Sequence, residues 1–183
     1  EELNLSYLFD PNAIIPQLLK TEIFNNKNIE FKLNVNANKI SNLNSFINMI
    51  LNANIQGGLI DVDTTSFEWK DYASVKFFDS LIYVNNGELF LDGKSQIIIN
   101  DYNSIYKFLV TPKNFRNEIK TINLNYIYNF DRKTIKIEDI KIDNVFNEKV
   151  NKIINNIAIK NNDLQNKIFL KNLLNEAIKS YAG

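Results

Sequence analysis

The sequence predicts an α+β fold in which a mainly antiparallel, twisted β-sheet has one apolar face and packs against about four amphipathic helices, one at the C-terminus. Three observations support this fold class. Several segments alternate apolar and polar residues, an Asn-Gly pair separates two of them, and two apolar stripes at helical spacing close the sequence. With 183 residues, the chain has the size of one domain, which we place at residues 1–183.

The first elements are an extended segment, a strand and a helix. Asp10-Pro11 and Ile15-Pro16 favour extended chain with a short turn over residues 1–20, because proline disfavours helical geometry in the residue before it. Residues 29–36 alternate apolar and polar side chains at the period of a half-buried strand. A helix is expected from Ser41 to Leu51, where apolar residues fall on one stripe.

A series of strands is expected next, because aromatic and β-branched residues are enriched there. The expected strands cover residues 59–65, 67–70, 74–84, 88–100, 122–130 and the segment from 134 onwards. Asn86-Gly87 predicts a tight hairpin, since a type I′ turn needs positive φ at both central positions. The apolar phase slips between Ile137 and Ile140, which predicts a bulge near Glu138-Asp139.

Three more helices are expected. Asp101 can cap a helix that runs to about Leu109, before Thr111-Pro112. Residues 148–157 and 164–181 carry apolar stripes at helical spacing, so the sequence predicts a helical C-terminus. Together with the helix at 41–51, these helices would pack on a one-faced sheet.

Composition argues against several classes of function. The chain has no His and no Cys, which excludes sites that need imidazole or thiolate, and we expect no catalytic residues, metal or cofactor. Lys+Arg and Asp+Glu number 21 each, and Arg116 and Arg132 are the only arginines, so we expect no nucleic-acid partner.

Two short acidic segments are candidate sites, Asp61 with Asp63 and Asp139 with Asp143, and both are interpreted as solvated carboxylates. Asp61 and Asp63, with Glu68 or Asp71 nearby, could bind Ca²⁺ or form an acid/base pair in a carbohydrate- or metal-dependent enzyme, but solvated carboxylates beside a turn explain the pattern more simply. Asp92-Gly93 is interpreted as a turn dipeptide.

Three segments carry a resemblance to a known family: GLIDVD at 58–63, LIYVNNGEL at 81–89 and IEDIKID at 137–143. They resemble the C-terminal region of AsmA-like bacterial envelope proteins, the AsmA/TamB type of the bridge-like lipid transfer superfamily. The resemblance implies a protein tethered to the inner membrane by an N-terminal helix, with a periplasmic sheet whose apolar concave face conducts phospholipid towards the outer membrane. This chain would be a fragment without that anchor.

The leading hypothesis is therefore a non-catalytic periplasmic module that binds or transfers lipid and contributes to phospholipid transport and outer-membrane assembly. Its partners would be phospholipid or another acyl-chain ligand, together with inner- and outer-membrane proteins. The expected lipid contacts are Phe31, Leu33, Val35, Ile122, Leu124, Tyr126 and Tyr128. The alternative is a structural or protein-interaction domain that caps an envelope assembly, with its sheet fully covered by helices and its edge strands as contacts.

Overall fold

The computed structural model describes residues 2–5, 9–155, 159–160 and 166–183. These residues form an α+β fold with a large, mostly antiparallel sheet and four α-helices, one of them at the C-terminus. This confirms the coarse fold class that the sequence predicts.

The sheet contains eleven strands within the described residues. They are β1 (Glu2–Leu3), β2 (Glu30–Ile40), β3 (Phe46–Gln56), β4 (Leu59–Asp61), β5 (Ser66–Trp69), β6 (Ala73–Asn85), β7 (Glu88–Ile99), β8 (Thr121–Asn129), β9 (Thr134–Ile142), β10 (Val145–Phe146) and β11 (Ile159–Lys160). Their order is β1-β2-β3-β4-β6-β7-β8-β9-β10, while β5 pairs with β3 and β6 and β11 pairs with β9. Only the β1–β2 pair is parallel among these.

The hairpin between β6 and β7 confirms the prediction made from Asn86-Gly87. Asn85 pairs with Glu88, and the two residues between them have φ values of 51° and 74°. Positive φ at both positions matches the right-handed twist of the flanking strands, which explains why this short turn suits a long hairpin.

Bulges interrupt the pairing of β8 with β9 and of β6 with β7, and the register of β3 against β5 also shifts, between Ile47 and Ile50. In β9 the pairing with β8 skips Glu138, which confirms the predicted bulge. In β6, Asp79 and Ser80 lie opposite the single residue Gly93 of β7. The interpretation of Asp92-Gly93 as a turn was therefore wrong: the glycine lies inside a strand, where it leaves room for a bulge on the neighbouring strand.

The helices are α1 (Ile14–Lys20), α2 (Tyr102–Leu109), α3 (Glu148–Asn155) and α4 (Lys167–Ala182). The cap of α2 is confirmed, because the backbone N–H of Ser104 donates to the Asp101 carboxylate at 3.0 Å. Helices α3 and α4 match the two predicted C-terminal helices. Parts of those predictions, at residues 156–157 and 164–165, lie outside the described residues.

Two predictions in the first 51 residues were wrong. Most of the segment predicted as a helix from Ser41 belongs to β3, which pairs with β2 on one side and with β4 and β5 on the other. Residues 14–20 form α1 rather than extended chain. Pro16 is tolerated there because it lies in the first helical turn, where a backbone N–H has no partner within the helix.

The helices pack on the face of the sheet that we call the inner face, defined by Ile82 of β6, Leu91 of β7 and Tyr128 of β8, which lie opposite one another. Leu19 of α1 is buried against one part of this face, in a cluster that includes Ile82 and Leu91. Helices α3 and α4 bury a second part over β9, with Val150 in the cluster. The hydrophobic core thus lies between the sheet and its helices.

Candidate functional site

The seven expected lipid contacts all lie on the inner face but in two separate groups. Phe31, Leu33 and Val35 are in β2, and the other four are in β8. Strands β3, β4, β6 and β7 lie between β2 and β8. At roughly 4.8 Å per strand the groups are about 24 Å apart, so one acyl chain would contact both only by lying across the sheet.

The exposure of these residues differs. Phe31 is 40% exposed and contacts the ring of Phe24 edge-on, at 5.5 Å between centroids. Tyr126 is only 7% exposed. The remaining five are half-buried: Leu33, Val35, Ile122, Leu124 and Tyr128. The inner face is therefore least covered at β2, on one side of the sheet.

Tyr126 is a buried polar side chain of the inner face. Its hydroxyl has no hydrogen-bond partner among the described residues, and its ring meets Phe77 edge-on with centroids 6.3 Å apart. Burial raises the pKa of this phenol far above its usual value, so the group stays neutral. An unpaired hydroxyl in apolar surroundings costs free energy. If Tyr126 served only to fill the core, this hydroxyl would not be needed.

Between the two helix-covered regions, half-buried apolar side chains cross β6, β7 and β8. We call them the middle band; its members are Val75, Phe77, Ile97, Ile122 and Leu124. The register places Val75 opposite Ile97 and Ile97 opposite Ile122, so the side chains are neighbours on the inner face. The sequence analysis included the two β8 members of this band and missed the other three, although their strands alternate in the same way.

Strand β2 forms an edge of the sheet along most of its length. β3 pairs with one side of it, and β1 reaches only Lys39 and Ile40 on the other. In the described part of the chain, the outer side from Glu30 to Asn38 has no strand partner. A row of unpaired backbone N–H and C=O groups of this kind can pair with another strand.

The direction of the backbone groups along this edge follows from β3. The N–H of Asn52 donates to the Thr65 hydroxyl, and the C=O of Asn52 accepts from the same hydroxyl, both at 3.1 Å. The backbone groups of Asn52 therefore point away from β2. Asn34 lies opposite Asn52, and directly opposed residues in an antiparallel pair point either towards each other or both away. The backbone groups of Asn34, and by alternation those of Lys32 and Asn36, therefore face the free edge.

The carboxylates of Asp61 and Asp63 are used by the backbone. Asp61 accepts from the N–H of Asp63 at 2.8 Å, and Asp63 accepts from the N–H of Ser80 at 2.7 Å. These contacts fix the turn after β4 against the bulge of β6. No group of three metal-ligating side chains occurs within the described ranges.

A shallow depression of about 610 Å³ opens on the other face of the sheet, near the β8–β9 loop. Phe90 and Ile127 contribute apolar surface, while Glu88, Arg132 and Lys136 line it with charge. Arg132 donates to Glu88 at 2.9 Å, and this bond together with one from Asn129 lowers the pKa of the Glu88 carboxyl. The mixed lining suits a polar contact better than an acyl chain.

Helix α1 is tied to the same end of the sheet. Lys20, at the end of α1, donates to the Asp131 carboxylate, whose second oxygen accepts from the N–H of Leu89 at 2.7 Å. Burial raises the pKa of Asp131, but the bonds from Leu89 and Lys20 outweigh it and leave the pKa below its usual value. The charged carboxylate thus joins α1, β7 and the β8–β9 loop.

No helix in the ranges given above is long and apolar enough to cross a bilayer. No family model, curated protein or solved structure matches the chain.

Proposed function

We propose that the chain is a non-catalytic, helix-capped end module of an AsmA-like envelope sheet, located in the periplasm and contributing to phospholipid transport between the membranes. The observation that carries the proposal is an asymmetry: helices pack on the inner face over β6, β7 and β9, while β2 presents a free edge. In this proposal the inner face is the single apolar face that the sequence predicts.

The free edge supports continuation of the sheet into a neighbouring segment. Lys32, Asn34 and Asn36 present backbone donors and acceptors that an added strand would pair with. Phe31 and Leu33 lie on the inner face next to that edge, so an added strand with alternating apolar residues would extend the same face.

The helices support a closing role at the opposite side of the sheet. The buried side chain of Asn151 in α3 accepts from the N–H of Ile140 at 2.9 Å and donates to the C=O of the same residue at 2.8 Å. Leu173 of α4 is buried with Ile140 in one cluster. An acyl chain that follows the inner face would meet these helices as its end wall.

Hydrogen–deuterium exchange tests the added strand. We expect the amides of Lys32, Asn34 and Asn36 to exchange rapidly in the isolated chain and to become protected when the chain is part of its complete reading frame in envelope membranes. Asn34→Pro should remove that protection along the edge, because proline lacks the donor yet is accepted in edge strands. The matched variant Asn34→Thr keeps the N–H and should behave like the native chain. Equal exchange in both settings would contradict the proposal.

Direct lipid binding is a second candidate, favoured by the middle band. Its half-buried apolar side chains lie between the two helix-covered regions, where an acyl chain could take the place of water. Native mass spectrometry of delipidated protein reloaded with phospholipid should then show bound lipid.

A pair of variants locates that binding. Ile97→Asp, at a half-buried residue of the middle band, should reduce lipid uptake several-fold because a charge enters the acyl-chain surface. Leu59→Asp, at a 44% exposed residue of β4, is the control and should leave uptake unchanged, since Leu59 lies one residue out of phase with the buried Ile60 and so on the other face. An equal loss in both variants, or no uptake by the native chain, would remove this candidate.

A further inference from the structure

One end of the molecule carries a group of aromatic, aliphatic and lysine side chains, exposed except for the half-buried Trp69 and Lys171, which we call the aromatic–lysine tip. It consists of Trp69, Lys70, Lys107, Phe108, Val110 and Lys171. The rings of Trp69 and Phe108 meet edge-on with centroids 5.3 Å apart, which joins the end of β5 to the last turn of α2. Phe108 is 45% exposed although it belongs to this aromatic contact.

The lysines of the tip lie close to its rings. The Lys171 ammonium of α4 is 4.5 Å from the centroid of Phe108, and the Lys70 ammonium is 5.4 Å from the centroid of Tyr72. Lys107 is exposed in the last turn of α2. Asp71 lies in the same β5–β6 turn, and the carboxylate of Glu68, next to Trp69, accepts from Asn48 at 2.8 Å. The three lysines of the tip outnumber these two carboxylates.

Val110 gives the tip a strained and exposed end. It follows α2 with φ of 62° and ψ of 37°, and its side chain is 73% exposed. Helices commonly end with glycine in this left-handed conformation, since a Cβ is crowded there and a β-branched side chain more so. An exposed valine gains no burial that would offset this cost, and strained residues of this kind often mark functional positions.

Neighbouring contacts hold Val110 in this position. The N–H of Val110 donates to the C=O of Lys107 at 3.2 Å, and the hydroxyl of the buried Thr111 donates to Asn175 of α4 at 2.6 Å. Asn175 in turn donates to the C=O of Leu109 at 2.7 Å. The end of α2 is therefore fixed against α4, and Val110 projects from a rigid support.

We infer that the aromatic–lysine tip docks on the surface of an anionic lipid bilayer. Tryptophan and other amphipathic aromatic side chains favour the headgroup region, apolar side chains such as Val110 enter the acyl boundary, and lysines are attracted by anionic headgroups. The lysine-rich surroundings favour a membrane over a purely apolar protein surface. The inference goes beyond the proposed function, because docking at this end does not require strand addition at β2.

The single tryptophan allows the docking to be measured directly. Purified chain is titrated with vesicles of phosphatidylcholine and phosphatidylglycerol at a 7:3 ratio, and with vesicles of phosphatidylcholine alone. We expect a blue shift of Trp69 emission, quenching by brominated acyl chains and flotation with the anionic vesicles, all weakened at high salt. No flotation, or equal binding to both vesicle types, would overturn the inference.

Two variants of the tip and two controls complete the test. Lys107→Glu should lower the partition coefficient for anionic vesicles at least about fivefold, the effect of one lysine near such a surface. Lys149→Glu, at an exposed lysine of α3, should leave it nearly unchanged.

Val110→Gly should also lower partitioning several-fold, while thermal stability stays equal or rises, because glycine adopts the left-handed conformation without strain. Val145→Ala, at an exposed valine of β10, is the matched control and should bind like the native chain. If Val110→Gly binds vesicles as well as the native chain, the tip is not the docking surface. Hydrogen exchange of the β2 amides tests strand addition, and vesicle binding tests docking at the tip. Failure of one proposal is therefore distinguishable from failure of the other.

Discussion

Gly93 lies where β7 passes the bulge of β6, and replacing it with alanine should destabilise the protein strongly. A Cβ at this position would lie 2.2 Å from Oγ, 2.7 Å from Cβ and 3.0 Å from Cα of Ser80. Carbon atoms ordinarily approach to 3.5–4.0 Å, so the backbone of the bulge must move. The hydroxyl of Ser80 also accepts from the N–H of Lys94 at 3.2 Å, and this bond would be lost.

The expected cost combines three effects. Overpacking against backbone costs about 3 kcal/mol at the upper end of its range. The lost hydrogen bond costs about 1 kcal/mol. Restricting the unfolded chain by replacing glycine offsets about 0.7 kcal/mol. Gly93→Ala should thus lower the free energy of unfolding by about 3 kcal/mol, a large fraction of the stability of a single domain.

Urea denaturation followed by Trp69 fluorescence measures this change, and two further variants test its cause. Gly57→Ala introduces a Cβ at φ of 57° with nothing within 4 Å, so it should cost only about 1 kcal/mol of left-handed strain. Ser80→Gly combined with Gly93→Ala removes the two closest atoms and should restore at least half of the lost stability. The reasoning would be refuted if Gly93→Ala were no less stable than Gly57→Ala, or if the double variant showed no recovery.

Three more predictions concern polar side chains, of which Asn151 and Tyr126 are buried and Asp131 is half-buried. Asp131→Asn should lower the free energy of unfolding by about 2 kcal/mol at pH 7, because it weakens the bonds from Lys20 and Leu89. Since the folded pKa of Asp131 is depressed, this difference should persist above the unfolded pKa near 4 and disappear as pH falls through the folded pKa, which urea midpoints at several pH values would check. Asn151→Ala should cost about 3 kcal/mol in thermal or urea unfolding, because it leaves buried backbone groups of β9 unpaired. Tyr126→Phe should change stability by less than about 1 kcal/mol or increase it, because the hydroxyl has no partner in the described chain.

The outcomes that would contradict these predictions differ. A pH-independent effect of Asp131→Asn would show that its charge is not the stabilising feature. A negligible cost for Asn151→Ala would mean that the position of α3 does not depend on the two hydrogen bonds between Asn151 and Ile140. A large loss in Tyr126→Phe would reveal a hydrogen bond of that hydroxyl and remove the argument that its polarity is unexplained.

The parts of the fold that the sequence predicts are those where local chemistry decides the structure. Asn86-Gly87 satisfies the backbone of one turn type, and Asp101 satisfies an N–H at the start of α2. The phase slip at Glu138 follows from the two-residue period of a strand. Each of these signals depends on a few adjacent residues, so no knowledge of distant partners is required.

The errors occur where distant partners decide. In residues 46–51 the apolar residues fit a helical stripe, yet Met49 and Leu51 also alternate in the phase of a strand, and pairing with β2 and β5 selects the strand. Gly93 follows Asp92 as in a turn, but the bulge of β6 explains the glycine. The aromatic–lysine tip could not be predicted at all, because Trp69, Phe108 and Lys171 are brought together only by the contacts of α2 with β5 and with α4.

The strand order has a consequence for how the chain folds. From β6 to β9 each strand pairs with its neighbour in sequence. The β6–β7 and β8–β9 hairpins can therefore form by closing short loops as soon as each is synthesised, while the β7–β8 pair closes a longer connection that contains α2. Helices α3 and α4 follow all of these strands in the sequence. For part of its synthesis the sheet therefore exposes the inner-face residues that α3 and α4 later bury, and it is open in that interval to aggregation or to capture by a chaperone.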